Sequence, residues 1–309
     1  MVKQQLKWFS PAVGAPALGL ILWLVVLVAT VVQVGQPFPG FRVGHALLVS
    51  DFNETRWSGI QAGLRGGDLI RSVEGQPVEH GQALFDRARE VPVGTPLTYE
   101  VQRGEERLTI QVPTARFSAL DFLTSFGIYF LIALLMLFIG AAAAVLKPDN
   151  RAAVANMWLA TGMAMSFVFN NDYDMTHKLH PDWYFGSVFL YASAALAMAL
   201  NFPETPGWLR RKPWLQSLPY AVGAALFAFV AWQFQAQGLK AEVELLATAL
   251  SFLWPTLVLL AALALFGARL RQDRPLRSQT QIRVLLLGIA VAYLPVVLVD
   301  LVPRALFGQ

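Results

Sequence analysis

The chain has 309 residues, 56% hydrophobic and 14% charged, with a mean hydropathy of +0.50; soluble domains carry about 25% charged residues, so an ordinary soluble fold is excluded and a polytopic membrane protein is indicated. The net charge of +4 comes with no basic stripe interleaved with exposed aromatics, which argues against a nucleic-acid surface. Cysteine is absent, which removes disulfides, thiolate metal sites and cysteine nucleophiles.

A bilayer-spanning helix needs about 20 apolar residues. Seven such runs occur, at Ala15–Val34, Phe122–Leu146, Ala152–Asn170, Trp183–Phe202, Leu218–Gln237, Val243–Leu270 and Val284–Val302. Lys3 and Lys7 precede the first run, which is too long for a signal peptide and has no A-x-A-like cleavage site before "GQPFPG", so it reads as a retained signal anchor. Residues 1–36 then form the cytoplasmic N-terminus and anchor, 37–113 an extracytoplasmic unit, and 120–309 a six-helix bundle.

Basic residues in short loops set orientation. With the N-terminus inside, the inner segments hold Lys3, Lys7, Lys147, Arg151, Arg210, Arg211, Lys212, Arg269, Arg271, Arg274, Arg277 and Arg283, whereas the short outer loops hold Lys178 and Lys240, with Arg304 beyond. The nine arginines from Arg42 to Arg116 lie in a long translocated segment that is exempt from the rule. This asymmetry also accounts for the basic balance.

Between the first two runs, "HALLVS" predicts a strand, "GLRGGDLIRSVEGQPV" a tight turn, short strand and second turn, "GQALFDRARE" a helix, and "PLTYEVQRGEERLTIQV" a hairpin turning at Arg103-Gly104. Gly63, Gly67 and Gly75 permit backbone turns that a Cβ would forbid, and Asp68 can bind nearby amides. The run Ala62-Gly63-Leu64, Gly67-Asp68, Ile70, Val73, Gly75 and Val78 resembles the core of bacterial PDZ domains, over about a quarter of the chain. PDZ domains add an extended peptide to a sheet edge beside a helix. The resemblance implies a peptide groove between His45–Val49, with Leu47, and the helix bearing Leu84 and Ala88. Its carboxylate-binding loop would fall near Phe41, Val43 and Gly44. Packing or dimerisation into a homodimer is the other use of such a fold. Short linkers, "GQPFPG" and "TARFSAL", hold the unit on the membrane surface and couple it to the first two helices.

No H-E-x-x-H, G-x-S-x-G elbow, Walker loop or kinase box is present, so the sequence offers no catalytic motif and calls for no cofactor. The outer loop "NNDYDMTHKLHPD" gathers Asp172, Asp174, His177, His180 and Asp182. Such a set could hold a metal; the favoured expectation is a hydrated loop with no metal, anchored at headgroup level by Tyr173, Trp183 and Tyr184. Asp300 and Arg304 are expected to pair at the interface, Asn156 and Asn201 to bond between helices, and Trp254-Pro255 and Leu294-Pro295 to mark kinks.

"NFPETPGWLRRKPWLQSLPY" and "RPLRSQTQIRVLLLGIAVAYLP" resemble stretches in the multi-helix input modules of bacterial sensor histidine kinases. One helix, an outer PDZ-like unit and a helical bundle together are similar to the competence-pheromone receptor kinases. The resemblance implies a receptor in the bacterial inner membrane, sensing an extracytoplasmic peptide or lipophilic ligand amid membrane lipid. It would signal to a cytoplasmic kinase or response-regulator system, in a two-component arrangement. Members of that family add a further helix and an output unit beyond the point where this sequence stops. The competing expectation is a scaffold that recruits envelope proteins, and a transporter ranks behind both because no inverted repeat is evident.

Overall fold

The computed structural model describes residues 11–272 and 275–296. It is mostly helical, with a small sheet region between the first and second long helices. Among the described residues, six helical segments are long and apolar enough to cross a membrane: Gly14–Val31, Ala119–Leu146, Arg151–Thr176, Asp182–Asn201, Leu218–Gln237 and Ala241–Leu270. These match six of the seven expected runs. A further helix occupies Leu276–Val296. The seventh run, Val284–Val302, passes beyond the described residues, and Lys3, Lys7, Arg274, Asp300 and Arg304 lie outside them.

Apolar residues distributed all round the helices, rather than on one stripe, suit burial in lipid. Leu18, Ile21, Phe138, Leu146 and Phe252 are all more than half exposed. Helix α1 (Pro11–Val31) packs on α5 (Ile128–Leu146) and α6 (Arg151–Asn171). Helix α7 (Asp182–Asn201) packs on α6, α9 (Leu218–Gln237) and α10 (Ala241–Leu270). Asn150 begins α6 by accepting from the Ala152 and Ala153 amides at 2.9 and 3.2 Å. At the far end of α7, the Arg269 guanidinium binds the carbonyls of Ala199, Leu200 and Phe202, which have no next turn to bind. Asn201 does not bond between helices as expected: its Nδ2 donates to Ala197 O within α7, 2.8 Å away.

The unit between the first two spans, called the outer unit after its expected side, is built on a four-stranded antiparallel sheet ordered β3-β2-β4-β5, comprising β2 (Leu69–Val73), β3 (Gln76–Pro77), β4 (Pro96–Arg103) and β5 (Glu106–Pro113). Helix α3 (Gly81–Arg89) carries Leu84, Phe85 and Ala88 on one face, all buried, with Arg87 and Arg89 in its last turn, where cations suit the helix dipole. Ile70, Val101, Tyr99, Phe41 and Val112 complete the core beneath it.

Two local expectations need correction. "HALLVS" is not a strand: Val43 and Val49 bridge one another, Leu48 bridges Leu69, and Leu47 adopts φ +67° between them. A hairpin folded back on itself leaves no continuous strand over 45–50. The β4–β5 turn falls at Gly104-Glu105, one residue later than expected, because Arg103 pairs with Glu106.

The linkers also pair with each other. Strand β1 (Pro37–Phe38) and β6 (Ala115–Arg116) form a two-residue ribbon, and Gly35 N and Phe117 N close bonds across it. Helix α4 (Ala119–Phe122) follows at once, started by a capping box between Ser118 and Asp121. The same Asp121 accepts from Trp57 Nε1 at 2.9 Å and pairs with Arg56 at 3.0 Å, while Ser125 donates to Glu54 at 2.7 Å. This neck ties the outer unit to the start of the second span.

Candidate functional site

The most concentrated set of buried polar groups lies where the outer unit meets the tops of α6 and α10. Helix α6 does not end in a hydrated loop. It runs on into a wider π-helical turn over Asp172–Thr176, all five residues buried, and stops at His177 in the left-handed conformation at φ +50°. Asp172 builds this stop. Its carboxylate accepts from Thr176 Oγ1, from Lys178 N at 2.9 Å and from Leu179 N at 2.8 Å, while its carbonyl receives His177 N at 2.7 Å. The chain reversal therefore satisfies the helix end and aims Asp174 and His177 outward, at the outer unit. Interrupted helical geometry of this kind often occurs at functional positions.

Asp174 and His177 meet the segment expected to form the groove. Asp174 Oδ2 pairs with Arg42 Nη2 at 3.0 Å and accepts from Ser50 Oγ at 2.8 Å, and its carbonyl accepts from Val43 N at 3.3 Å. Arg42 and Asp174 are only 3% and 4% exposed. The guanidinium also donates to Phe52 O at 3.2 Å and sits 4.9 Å from the centre of the Phe126 ring. His177 Nε2 lies 2.9 Å from Val43 O, which makes it the donor and fixes the neutral tautomer. Its ring stands edge-on to His45, with centroids 4.7 Å apart, and tilts against Phe85 of α3 at 5.4 Å.

A third contact comes from α10, whose Glu244 Oε2 accepts from Ala46 N at 2.8 Å. Two glycines make these approaches feasible. A Cβ on Gly44 would stand 2.5 Å from Glu244 Oε1, and one on Gly81 would stand 2.5 Å from Gly44 O and 2.7 Å from His177 Nε2. Neither glycine is there for backbone freedom; the neighbours leave no room.

Burial depresses both histidines. Desolvation, reinforced by His177, His180 and His80, takes His45 down to about 3. Desolvation takes His177 to about 4, with His80 and Lys178 acting in the same direction against the Val43 hydrogen bond and Asp86. Both rings are neutral at pH 7. His45 Nε2 and His177 Nδ1 are buried without a hydrogen-bond partner among the described residues.

Two residue sets that looked separate in the sequence thus form one interface. Phe41, Val43, Gly44, His45, Leu47, Leu84 and Ala88 are all buried, so the cleft between residues 43–49 and α3 is filled rather than open. Its occupant at Val43 and Gly81 is His177. His180 lies apart, half exposed, paired with Asp182 at 3.0 Å. Among the described residues no group of three or more metal-ligating side chains gathers anywhere.

Gly63, Gly67 and Gly75 take φ of +101°, +81° and +71° at their turns, and Gly67 N donates to Val49 O at 2.9 Å. Asp68 is 1% exposed; it accepts from Arg65 N at 2.9 Å and is gripped by Arg103 through two bonds of 2.7 Å. Sequence reasoning missed Arg42, Ser50, Glu244 and Arg103. Glu244 had a signal, an acidic residue just inside an apolar run, but the first turn of any helix favours acids. Arg42 was hidden among nine arginines that topology rules ignore.

Fold and site together define a helical, multi-pass membrane protein whose small sheet-containing unit is docked on the bundle through buried polar contacts. No family model matches the sequence, and no curated protein matches it either.

Proposed function

We propose that the chain is a membrane-embedded sensory input module, with seven spans, a PDZ-like outer unit and a basic, cytoplasmic inner face in a bacterial inner membrane. The outer unit detects an extracytoplasmic peptide or lipophilic ligand, and the helices carry the signal to a cytoplasmic kinase-type output domain or partner. The chain itself does no chemistry in this reading. The order of turn, strand, turn, helix and hairpin over 63–113 supports the PDZ resemblance.

One observation carries the proposal. The edge at which a PDZ-like unit would take its ligand is engaged by Asp174 and His177, at the end of a membrane helix, and by Glu244 from another. A ligand that pairs with the Val43 backbone must displace them. Displacement moves the tops of α6 and α10 relative to the neck, and this two-state element is what coupling across the membrane requires.

The test uses the absence of native cysteine. Spin labels on cysteines replacing the exposed Glu79 and Lys240 report the distance between the outer unit and the bundle in reconstituted vesicles. The peptide fraction of a bacterial envelope extract should shift that distance. If peptides bind while the distance stays fixed, the protein is a scaffold; if neither happens, the sensor reading is wrong.

A further inference from the structure

Three cavities adjoin along one side of the bundle. The uppermost, about 930 Å³, lies between α1, α6, α7 and α9 and is lined mainly by apolar and small residues such as Leu18, Met165, Phe189 and Ala224. Trp158, Leu190 and Tyr220 also line the next, of about 610 Å³, so the two meet at that level. The second in turn shares Pro148, Asp149, Arg151 and Asn201 with a third, of about 790 Å³, at the basic end of the bundle. Together they make a trough whose walls include α7 from Asp182 to Asn201. At 1.5 Å per residue that is about 30 Å, the thickness of a bilayer's hydrocarbon core.

The lining changes character along this length. The upper two thirds are apolar; the lower mouth carries Lys147, Arg151 and Arg210 against Asp149 and Glu204. Arg210 Nε is bound to Thr205 O at 2.9 Å. Neither Lys147 nor Arg151 makes an ion pair with a described residue. Just above them, Gln216 lines the middle cavity, and its Nε2, turned away from the accessible space, is buried with no hydrogen-bond partner among the described residues, so that a turn of the amide would present it to the cavity. A buried donor left without an acceptor is costly, and the level suits the ester carbonyls of a lipid whose head rests at Arg151.

We propose that this trough is a binding site for one anionic membrane lipid, its head held by Lys147 and Arg151, an ester carbonyl by Gln216, and its acyl chain passing Trp158 and Tyr220 into the upper cavity. The site is separate from the outer interface and stands whether or not the chain is a sensor. A second copy of the chain would match the apolar part but would leave the basic mouth and Gln216 unanswered.

The whole chain is reconstituted in phosphatidylcholine vesicles containing a minor share of phosphatidylglycerol, extracted mildly, and weighed intact by native mass spectrometry. We expect one retained phosphatidylglycerol per chain. Lys147→Gln with Arg151→Gln should reduce its retention by more than tenfold, at about fivefold per basic residue. Arg211→Gln with Lys212→Gln removes equal charge nearby but off the trough and should change nothing. Ala224→Trp, which fills the upper cavity from an exposed position, should lower lipid retention with the basic mouth intact. Equal loss in the two charge variants would mean surface attraction only, and would overturn the site. So would retention of phosphatidylcholine in equal measure, or a lipid-free dimer.

Discussion

The outer unit is attached to the helices twice, and the two attachments are built differently. At the neck, covalent linkers pair as a ribbon and Asp121 gathers a capping box, an indole and an arginine, with Arg56 still 38% exposed on its side chain. At the edge, no covalent link exists, and the contact rests on a fully buried ion pair, a histidine wedge and one carboxylate. A covalent neck survives the loss of any one contact. A buried polar edge is conditional, because each group depends on a partner supplied from the other side. In the sensor proposed above, the neck is the pivot and the edge the latch.

The largest effect should come from removing one half of the buried pair. Asp174→Ala strands the Arg42 guanidinium in a site it shares with Phe126, at a cost of ~3–5 kcal/mol. Amide hydrogen exchange at residues 42–50 should speed up, while the β1–β6 neck keeps its protection. Arg42→Met combined with Asp174→Leu should recover most of the loss, since no charge is then left alone. Unchanged protection in Asp174→Ala would mean that the edge is not held by this pair.

Acid should weaken the histidines' hold on the latch next. The docked rings titrate at about 3 and 4, against an ordinary 6.5 when undocked in water. The two rings therefore bind fewer protons in the docked form between those values, so their share of the docking is fully present above pH 6.5 and is lost as pH falls. Each ring contributes at most ~1.4 kcal/mol per pH unit, levelling off near 4 for His177 and near 3 for His45. Around the rings, His80, His180 and Lys178 act with this trend and Asp86 against it, and the carboxylates of Asp174 and Glu244 at the same edge carry their own dependence on pH. The histidine share should show as a difference between parent and variant in how the spacing between labels at 79 and 240 changes from pH 6.5 to 5. His177→Asn, which retains a donor toward Val43 O, should remove about half of that dependence.

A smaller effect separates wedge from pivot. Gly81→Val places atoms where Gly44 O and His177 now stand, and overpacking of this kind costs ~1–3 kcal/mol. The edge should loosen, and lose about half of the histidine response to pH, because His177 is already displaced. A pH response as large as that of the parent protein would show that the histidines act elsewhere.

Much of the architecture is legible in residue order because it depends on local properties. Apolar runs, the glycines at 63, 67 and 75, and the Leu84–Ala88 spacing each determine structure within a few residues of themselves. The site is not local. Ala46 is 198 residues from Glu244, and Arg42 is 132 from Asp174, and no periodicity links them. Asp172, Asp174 and His177 were visible as a polar cluster, but a cluster beside tyrosines and a tryptophan reads equally well as a wet loop. What decides is the outer unit seated above them, which excludes the water that a loop would need. His45 fails for the same reason: in a strand it would face a ligand, but a residue bent at Leu47 and covered by Tyr173 and His177 faces protein.

The smallest effect should come from a change outside the contacts that make either attachment. Gly67 holds φ +81° in the turn that precedes Asp68, with nothing within 4 Å of where a Cβ would sit. Substitution there adds no clash, so the penalty is conformational: a β-branched side chain disfavours this backbone region by about 1–2 kcal/mol. Gly67→Val should therefore lower the stability of the outer sheet by about that much, while the helices insert normally. Asp68 would feel the strain first, because its bonds to Arg65 N and Arg103 tie this turn to β4. The label distance between 79 and 240, and its dependence on pH, should stay as in the parent protein, since Gly67 reaches the edge only through Val49, whose carbonyl its amide binds at 2.9 Å, and the contacts of Asp174, His177 and Glu244 do not involve it. If Gly67→Val instead opened the edge as Asp174→Ala does, the sheet and the latch would be a single cooperative element, and a ligand could release the helices by loosening the sheet anywhere.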